Sequence, residues 1–351
     1  MFIYIAIAVL LFVTSFCYSN CKNKFVAMEL KFLCFLLLFI PAAVRLNIGS
    51  DYRNYVRIFN SVRTGHEIYQ EFGWMLLNLF VARTRLHHQW IFVLSSFLTY
   101  AFLFFTNKKD AWIVLFVYFL YLYTTSYNAV RNAISVAMFW YAYCCLRNEK
   151  RLRGFVSILL AAQFHASAYL YIPVYLAMCF VRMNKRVTLC IAVVSYILFA
   201  RLHMAQHIME SPAFAMFRYA HYVNSAEGSA ATEIRSGLGI LLRHFYLFLM
   251  YCLCDEKRCP QKEFSSMSIL FLSLLFTDIL STQIFIFYRL RDCFTVAYMA
   301  MFSCLFRYRS RNAFYVAGKM FCFAYAIVIM FVLGLLKNTN EIVPYTSILG
   351  G

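Results

Sequence analysis

The chain has 351 residues, 63% apolar, 19% aromatic and only 14% charged, a balance that no soluble core of this size requires. Lipid must be part of the solvent, which excludes an ordinary soluble enzyme. The net charge of +18 would suggest nucleic acid in a soluble chain, but many basic residues sit in short clusters between apolar runs, a topogenic pattern, so no nucleic-acid partner is expected.

A helix that crosses the hydrocarbon layer needs about 20 mostly apolar residues. Such runs are predicted at about 1–18, 27–44, 89–106, 111–127, 129–146, 187–204, 237–254, 264–287, 290–306 and 313–336. The apolar start, Met1 to Phe16, has no basic leader and no small-residue cleavage pattern, so it reads as a retained first span. Phe72 to Val81 is too short to cross, and Gly154 to Phe180 is long for one span and short for two. Both read as re-entrant or broken helices. The fold class expected is an all-α polytopic membrane protein of about ten to twelve membrane helices, short or re-entrant ones included. It forms a single transmembrane domain over 1–351, with large outer segments at about 45–88 and 201–236. The thirteen cysteines show no zinc-type spacing, so neither disulfides nor a metal site is expected.

Positive charge orients the chain. Clusters at Lys22–Lys31, Lys108–Lys109, Arg147–Arg153, Arg182–Arg186, Lys257–Lys262 and Arg307–Arg311 all belong in the cytoplasm. They share one side only if 154–180 enters and leaves by the same face, each leg of about 12 residues reaching about 18 Å, with the tip near His165. On this topology nine of the eleven lysines are cytoplasmic, and the outer basic residues are almost all arginine. Arginine keeps its charge in low dielectric and grips phosphate with a planar fork, so the bias points to an outward-facing anionic ligand.

The segment Arg45-Leu-Asn-Ile-Gly-Ser-Asp-Tyr-Arg-Asn-Tyr, followed by Glu71-Phe-Gly-Trp, Arg131-Asn-Ala-Ile-Ser, Phe164-His-Ala-Ser-Ala, Arg289-Leu-Arg-Asp-Cys-Phe and Glu341-Ile-Val-Pro-Tyr, resembles the ordered motifs of the EpsG family. Ser50, Trp74 and Asn132 stand where that family usually has Thr, Tyr or Phe, and Gln. The resemblance implies a Wzy-like polysaccharide polymerase with a GT-C-like overall plan in the bacterial inner membrane. It implies a metal-independent glycosyltransferase that joins undecaprenyl-pyrophosphate-linked oligosaccharide repeats into O-antigen, capsule or exopolysaccharide. It needs no cofactor, and its partners are the lipid-linked oligosaccharide, membrane lipid and a chain-length regulator protein.

In such a reaction a sugar hydroxyl attacks an anomeric carbon whose leaving group is a lipid pyrophosphate, and preorganised donors are the natural stabilisers of that charge. Arg131 and Arg289 are the first candidates, with Arg45, Arg235 and Arg291 behind them; the competing reading is that these arginines snorkel or pair with Glu71, Asp51 or Asp292. His165 is the leading catalytic candidate, as base or as pyrophosphate ligand, its ordinary pKa being about 6.5. Asp51 is a second catalytic candidate, with a helix-cap role as the alternative. Glu71, Tyr55, Arg218, His221 and Tyr222 are candidate glycan contacts, and Asp278 reads equally as a partner for an arginine. A flippase or transporter of the same lipid-linked sugars, a membrane acyltransferase using His165 as base, and a structural subunit remain the alternative functions. A transporter predicts an internal repeat with paired broken helices, and the sequence contains no convincing one.

Overall fold

The structure is a computed structural model that describes residues 1–66, 69–201, 237–283, 287–307 and 312–350. Among them the regular elements are helices, with one isolated antiparallel bridge between Arg45 and Ser347. The chain forms two compact units, Met1–Tyr175 with Met320–Gly351, and Leu176–Lys319.

The first unit opens with α1 (Phe2–Asn20) and α2 (Lys24–Val44), both long and apolar enough to cross a bilayer. They carry exposed apolar side chains such as Phe2, Val9, Leu10, Phe25, Met28 and Phe32, as helices in contact with lipid should. Asn23 starts α2 by accepting hydrogen bonds from the Phe25 and Val26 amides. Beyond the second span, α3 (Tyr52–Arg63) buries Tyr52, Tyr55, Ile58, Phe59 and Val62, which recur at helical spacing, and exposes Arg53, Arg57 and Arg63. This face packs with Trp74 and Leu77 of α4 (Phe72–Arg83) and with Ile91 and Phe92 of α5 (Gln89–Leu103). With 12 residues, α4 is about 18 Å long and cannot cross, in line with the anomaly in its sequence.

After α5 the chain turns through 109° into α6 (Ala111–Tyr118), which a π turn at Phe119–Tyr123 extends. The four-residue α7 (Thr125–Asn128) leads into α8 (Val130–Arg147). This helix is buried along most of its length, so its environment is protein and its polar ends are tolerated. Next come α9 (Arg151–Ala162), a 3-10 turn at Ala166–Leu170 and α10 (Tyr171–Phe180). Tyr175 donates a hydrogen bond to the Arg151 carbonyl at 2.8 Å, so α10 returns beside the start of α9. The segment is a hairpin with His165 at its tip, as its length and flanking charges led us to expect.

The second unit contains α11 (Lys185–Ser195) with a π turn at Tyr196–Arg201, α12 (Leu238–Leu253), α13 (Gln261–Gln283), α14 (Phe287–Cys293) and α15 (Val296–Arg307). The buried α13 is its central helix. The run expected to be one span at 290–306 is instead divided between α14 and α15, where the Thr295 hydroxyl turns back onto the Asp292 carbonyl at 2.6 Å. Finally α16 (Ala313–Ile329) is lengthened by a π turn at Met330–Leu336 and leads into the tail; from Met320 onward the chain belongs to the first unit. Tyr4 donates to the Ile342 carbonyl, Tyr345 to that of Pro41, and the Gly49 amide to that of Glu341.

Each unit collects its basic clusters at one end. In the first, Lys108 reaches the Cys21 carbonyl and Arg147 pairs with Asp110 at 3.0 Å. In the second, Lys185 reaches the Cys252 and Cys254 carbonyls and Arg307 pairs with Glu263 at 2.9 Å.

The hairpin closes because position 154 is glycine: a Cβ there would meet the Tyr175 hydroxyl at 2.1 Å and the Ala142 carbonyl oxygen at 3.0 Å. Gly154→Ala is therefore expected to lower the melting temperature in detergent, at a cost of about 1–3 kcal/mol. The loss should shrink when Tyr175→Leu removes the ring, a coupling that a double-mutant cycle measures.

Candidate active site

Arg131 lies in the first turn of α8, where the partial positive charge of the helix terminus opposes a cation. Helix stability does not account for an arginine there; its partners do. The guanidinium Nη1 forms an ion pair with Glu71 Oε2 and donates to Gln70 Oε1 at 2.7 Å. The Tyr55 hydroxyl lies against the same side chain. Glu71 precedes α4 in extended conformation and makes no capping bond to its own helix. Its second oxygen instead accepts from the Ala166 amide at 3.1 Å, so one carboxylate ties the start of α8 to the hairpin tip. The ion pair is only partly shielded, with Arg131 25% and Glu71 20% exposed.

Two residues after Glu71, the Gly73 amide donates to the Gln163 carbonyl at 2.7 Å. A Cβ on Gly73 would stand 2.9 Å from that oxygen, so only glycine allows this approach. The hairpin tip is thereby pinned by two successive contacts from one short stretch. His165 follows in extended conformation and caps the 3-10 turn: its Nδ1 accepts from the Ser167 amide at 3.3 Å and contacts the Ser167 hydroxyl at 2.5 Å. Its ring is half-buried.

Asp51 precedes α3, is exposed and makes no side-chain cap. Its charge, like that of Arg131, acts on the Tyr55 hydroxyl one turn later. Tyr55, expected as a glycan contact, is only 4% exposed and packs edge-on against Trp74 and Phe92. It supports Arg131 from below the surface. Glu71, expected in the same role, spends both oxygens on protein partners.

Arg45 is enclosed at 1% exposure. Its guanidinium lies 4.7 Å from the Phe92 ring centre and 4.8 Å from that of Tyr127, and it donates to the Ala42 carbonyl. Expected as a pyrophosphate ligand, it is instead a brace beneath the loop carrying Gly49 and Asp51, out of a ligand's reach. Stacking between two rings needs a planar cation, which accounts for arginine here without an anionic ligand.

The remaining described candidates belong to the second unit. Asp278, 1% exposed, accepts a hydrogen bond from Arg243 Nε at 2.8 Å on one oxygen, with His244 Nε2 3.1 Å from the same oxygen and Arg291 Nη1 3.7 Å from the other. Arg291 also meets Asp292 at 3.3 Å. The expected partnership of Asp278 with an arginine is present, and Arg291 is largely neutralised by it. Arg289 is exposed, with no ion-pair partner among the described residues. Sequence reasoning missed His244; its one signal was an ionisable side chain inside an apolar run. Arg218, His221, Tyr222 and Arg235 lie outside the described residues. Among the described residues no group of three or more His, Cys, Asp or Glu side chains is arranged to hold a metal ion.

Residues from the E-x-G, R-N-x-I and F-H-x-S-A elements thus meet at one place, although they lie far apart in the chain. The sequence profile of the EpsG family matches residues 28–347 and so covers all of these elements. The chain belongs to the EpsG family. That is a family of Wzy-like polymerases, which agrees with the resemblance read from the motifs. Comparison with curated proteins and with solved structures finds no match.

For this EpsG-family protein the site's first requirement is to hold Arg131 in place. Glu71→Gln and Arg131→Gln are each expected to destabilise the protein, and the double variant by less than their sum. A coupling of about 1–2 kcal/mol is expected for a pair this exposed, measured by denaturant unfolding in detergent.

Proposed function

We propose that the protein joins undecaprenyl-pyrophosphate-linked oligosaccharide repeat units into a polysaccharide at the outer face of the bacterial inner membrane, at a centre built on Arg131, Glu71, His165 and Asp51. The observation that carries this reading is the convergence of three family motifs on the Glu71 carboxylate.

The reaction forms a bond between an acceptor hydroxyl oxygen and the anomeric carbon of the donor chain. The bond from that carbon to the pyrophosphate oxygen breaks, the hydroxyl proton passes to a base, and lipid pyrophosphate departs. Negative charge grows on the leaving oxygen, and a fixed guanidinium beside it stabilises that charge most where water is scarce. Glu71 sets the direction of Arg131 and offsets part of the cost of shielding its charge. Asp51, exposed and without a side-chain partner among the described residues, suits deprotonation of the acceptor.

Orientation follows from α8. Arg131 and Arg147 stand at its two ends, separated by 16 residues and hence about 24 Å. Arg147 lies in the basic cluster that belongs in the cytoplasm, so Arg131 faces the opposite side, where lipid-linked repeat units are polymerised.

In cells deleted for the protein, lipid-linked glycan is expected to stop at single repeat units, and wild-type protein should restore long chains. Arg131→Ala and Asp51→Asn at matched membrane abundance should each lower polymer by at least about 100-fold, the scale of losing one transition-state contact. Gel profiles of the glycan provide the measurement; normal chains in the deletion strain would refute the function, and normal chains with both variants would refute the centre.

A further inference from the structure

We infer that His165 acts in this polymerisation as a hydrogen-bond donor to the leaving pyrophosphate oxygen, and not as the base that deprotonates the acceptor. The inference rests on the proposed polymerase reading and assigns a role within it.

The argument is one of tautomers. A neutral imidazole carries one N–H, and its other nitrogen carries a lone pair. The Ser167 backbone amide can only donate, and it points at His165 Nδ1 from 3.3 Å; Nδ1 must therefore be the lone-pair nitrogen. The Ser167 hydroxyl, 2.5 Å from the same atom, must then donate as well. The ring proton of the neutral side chain is left on Nε2, which cannot accept a proton. For Nε2 to serve as base, the proton would have to move to Nδ1 and face the Ser167 amide donor to donor, undoing the cap that starts the turn Ala166–Leu170. Glu71 adds the location: it binds Arg131 with one oxygen and the amide of residue 166 with the other. Arg131 and the backbone that follows His165 are thus held by one carboxylate, and a cation and a neutral N–H donor are both suited to an oxygen on which negative charge is developing. The proton of the acceptor must go elsewhere.

Purified wild type and variants, reconstituted in liposomes with lipid-linked repeat units isolated from the deletion strain, separate the possibilities. His165→Asn keeps an oxygen able to accept from the Ser167 amide, since asparagine is a good cap, but places nothing where Nε2 stood. It should fold with an unchanged melting temperature and lose at least about 30-fold in rate. His165→Gln returns an amide N–H near the Nε2 position and should recover to within about tenfold of wild type. Ser167→Ala leaves the backbone amide that sets the tautomer and should remain within about threefold, whereas a base oriented through the Ser167 hydroxyl would lose far more. Full activity in His165→Asn would reduce the ring to a cap, and either a Gln variant as slow as Asn or a large loss in Ser167→Ala would overturn the donor role. Loss of polymer in Arg131→Ala in the same assay keeps the polymerase reading standing through any of these results. Failure of wild type to extend the repeat units would remove that reading and this inference with it.

Discussion

The Glu71 carboxylate is the contact on which the site depends. A cation in the first turn of a helix is unfavourable by itself, and a backbone amide exposed at the tip of a hairpin needs an acceptor. One side chain answers both needs, accepting from Arg131 on one oxygen and from the Ala166 amide on the other. Gly73, two residues on, lets the same stretch approach the Gln163 carbonyl. The E-x-G element is therefore a clamp, in which the acid holds charge and the glycine makes room.

Around this clamp the two ends of the first unit serve different purposes. At one end Lys108 and Arg147 are satisfied by a carbonyl and by Asp110. At the other, Arg45 is stacked between Phe92 and Tyr127, and the tail lies over it through Tyr4, Tyr345 and Gly49. The motifs with Gly49 and with Glu341 to Tyr345 are thereby explained as parts of one brace. Gly49 has φ +92 and would place a Cβ 2.4 Å from Asn128 Oδ1, so both its conformation and its surroundings call for glycine. The second unit has its own buried charge network on Asp278, in which two arginines and a histidine face one carboxylate. Its charges are largely matched internally, which suits a structural role.

Much of this was legible in the chain. The apolar runs, the hairpin at 154–180 and the shortness of α4 follow from counting residues against the thickness of a bilayer and from placing positive charge on one side. Arg131, His165 and Asp51 stood out as polar groups in family-like motifs. Other features gave no local signal. The break between α14 and α15 has no proline or glycine to announce it. That Tyr55 and Arg45 are enclosed and that Glu71 holds an arginine could not be decided from the chain, because a sequence shows which groups can bind a ligand but not which are already occupied by protein.

By itself the sequence determined that the protein lives in lipid, which end of its helices carries the basic clusters, and which motifs it carries in which order. Those properties reside in composition, run length and local pattern, and they do not depend on what packs against what. Only the tertiary structure decided that Glu71 faces both Arg131 and Ala166, that Arg45 is sealed between two rings, and that the Ser167 amide claims one nitrogen of His165. Each of these is a question of which partner fills a hydrogen bond or a charge, and partners distant in the chain become neighbours only when the helices pack.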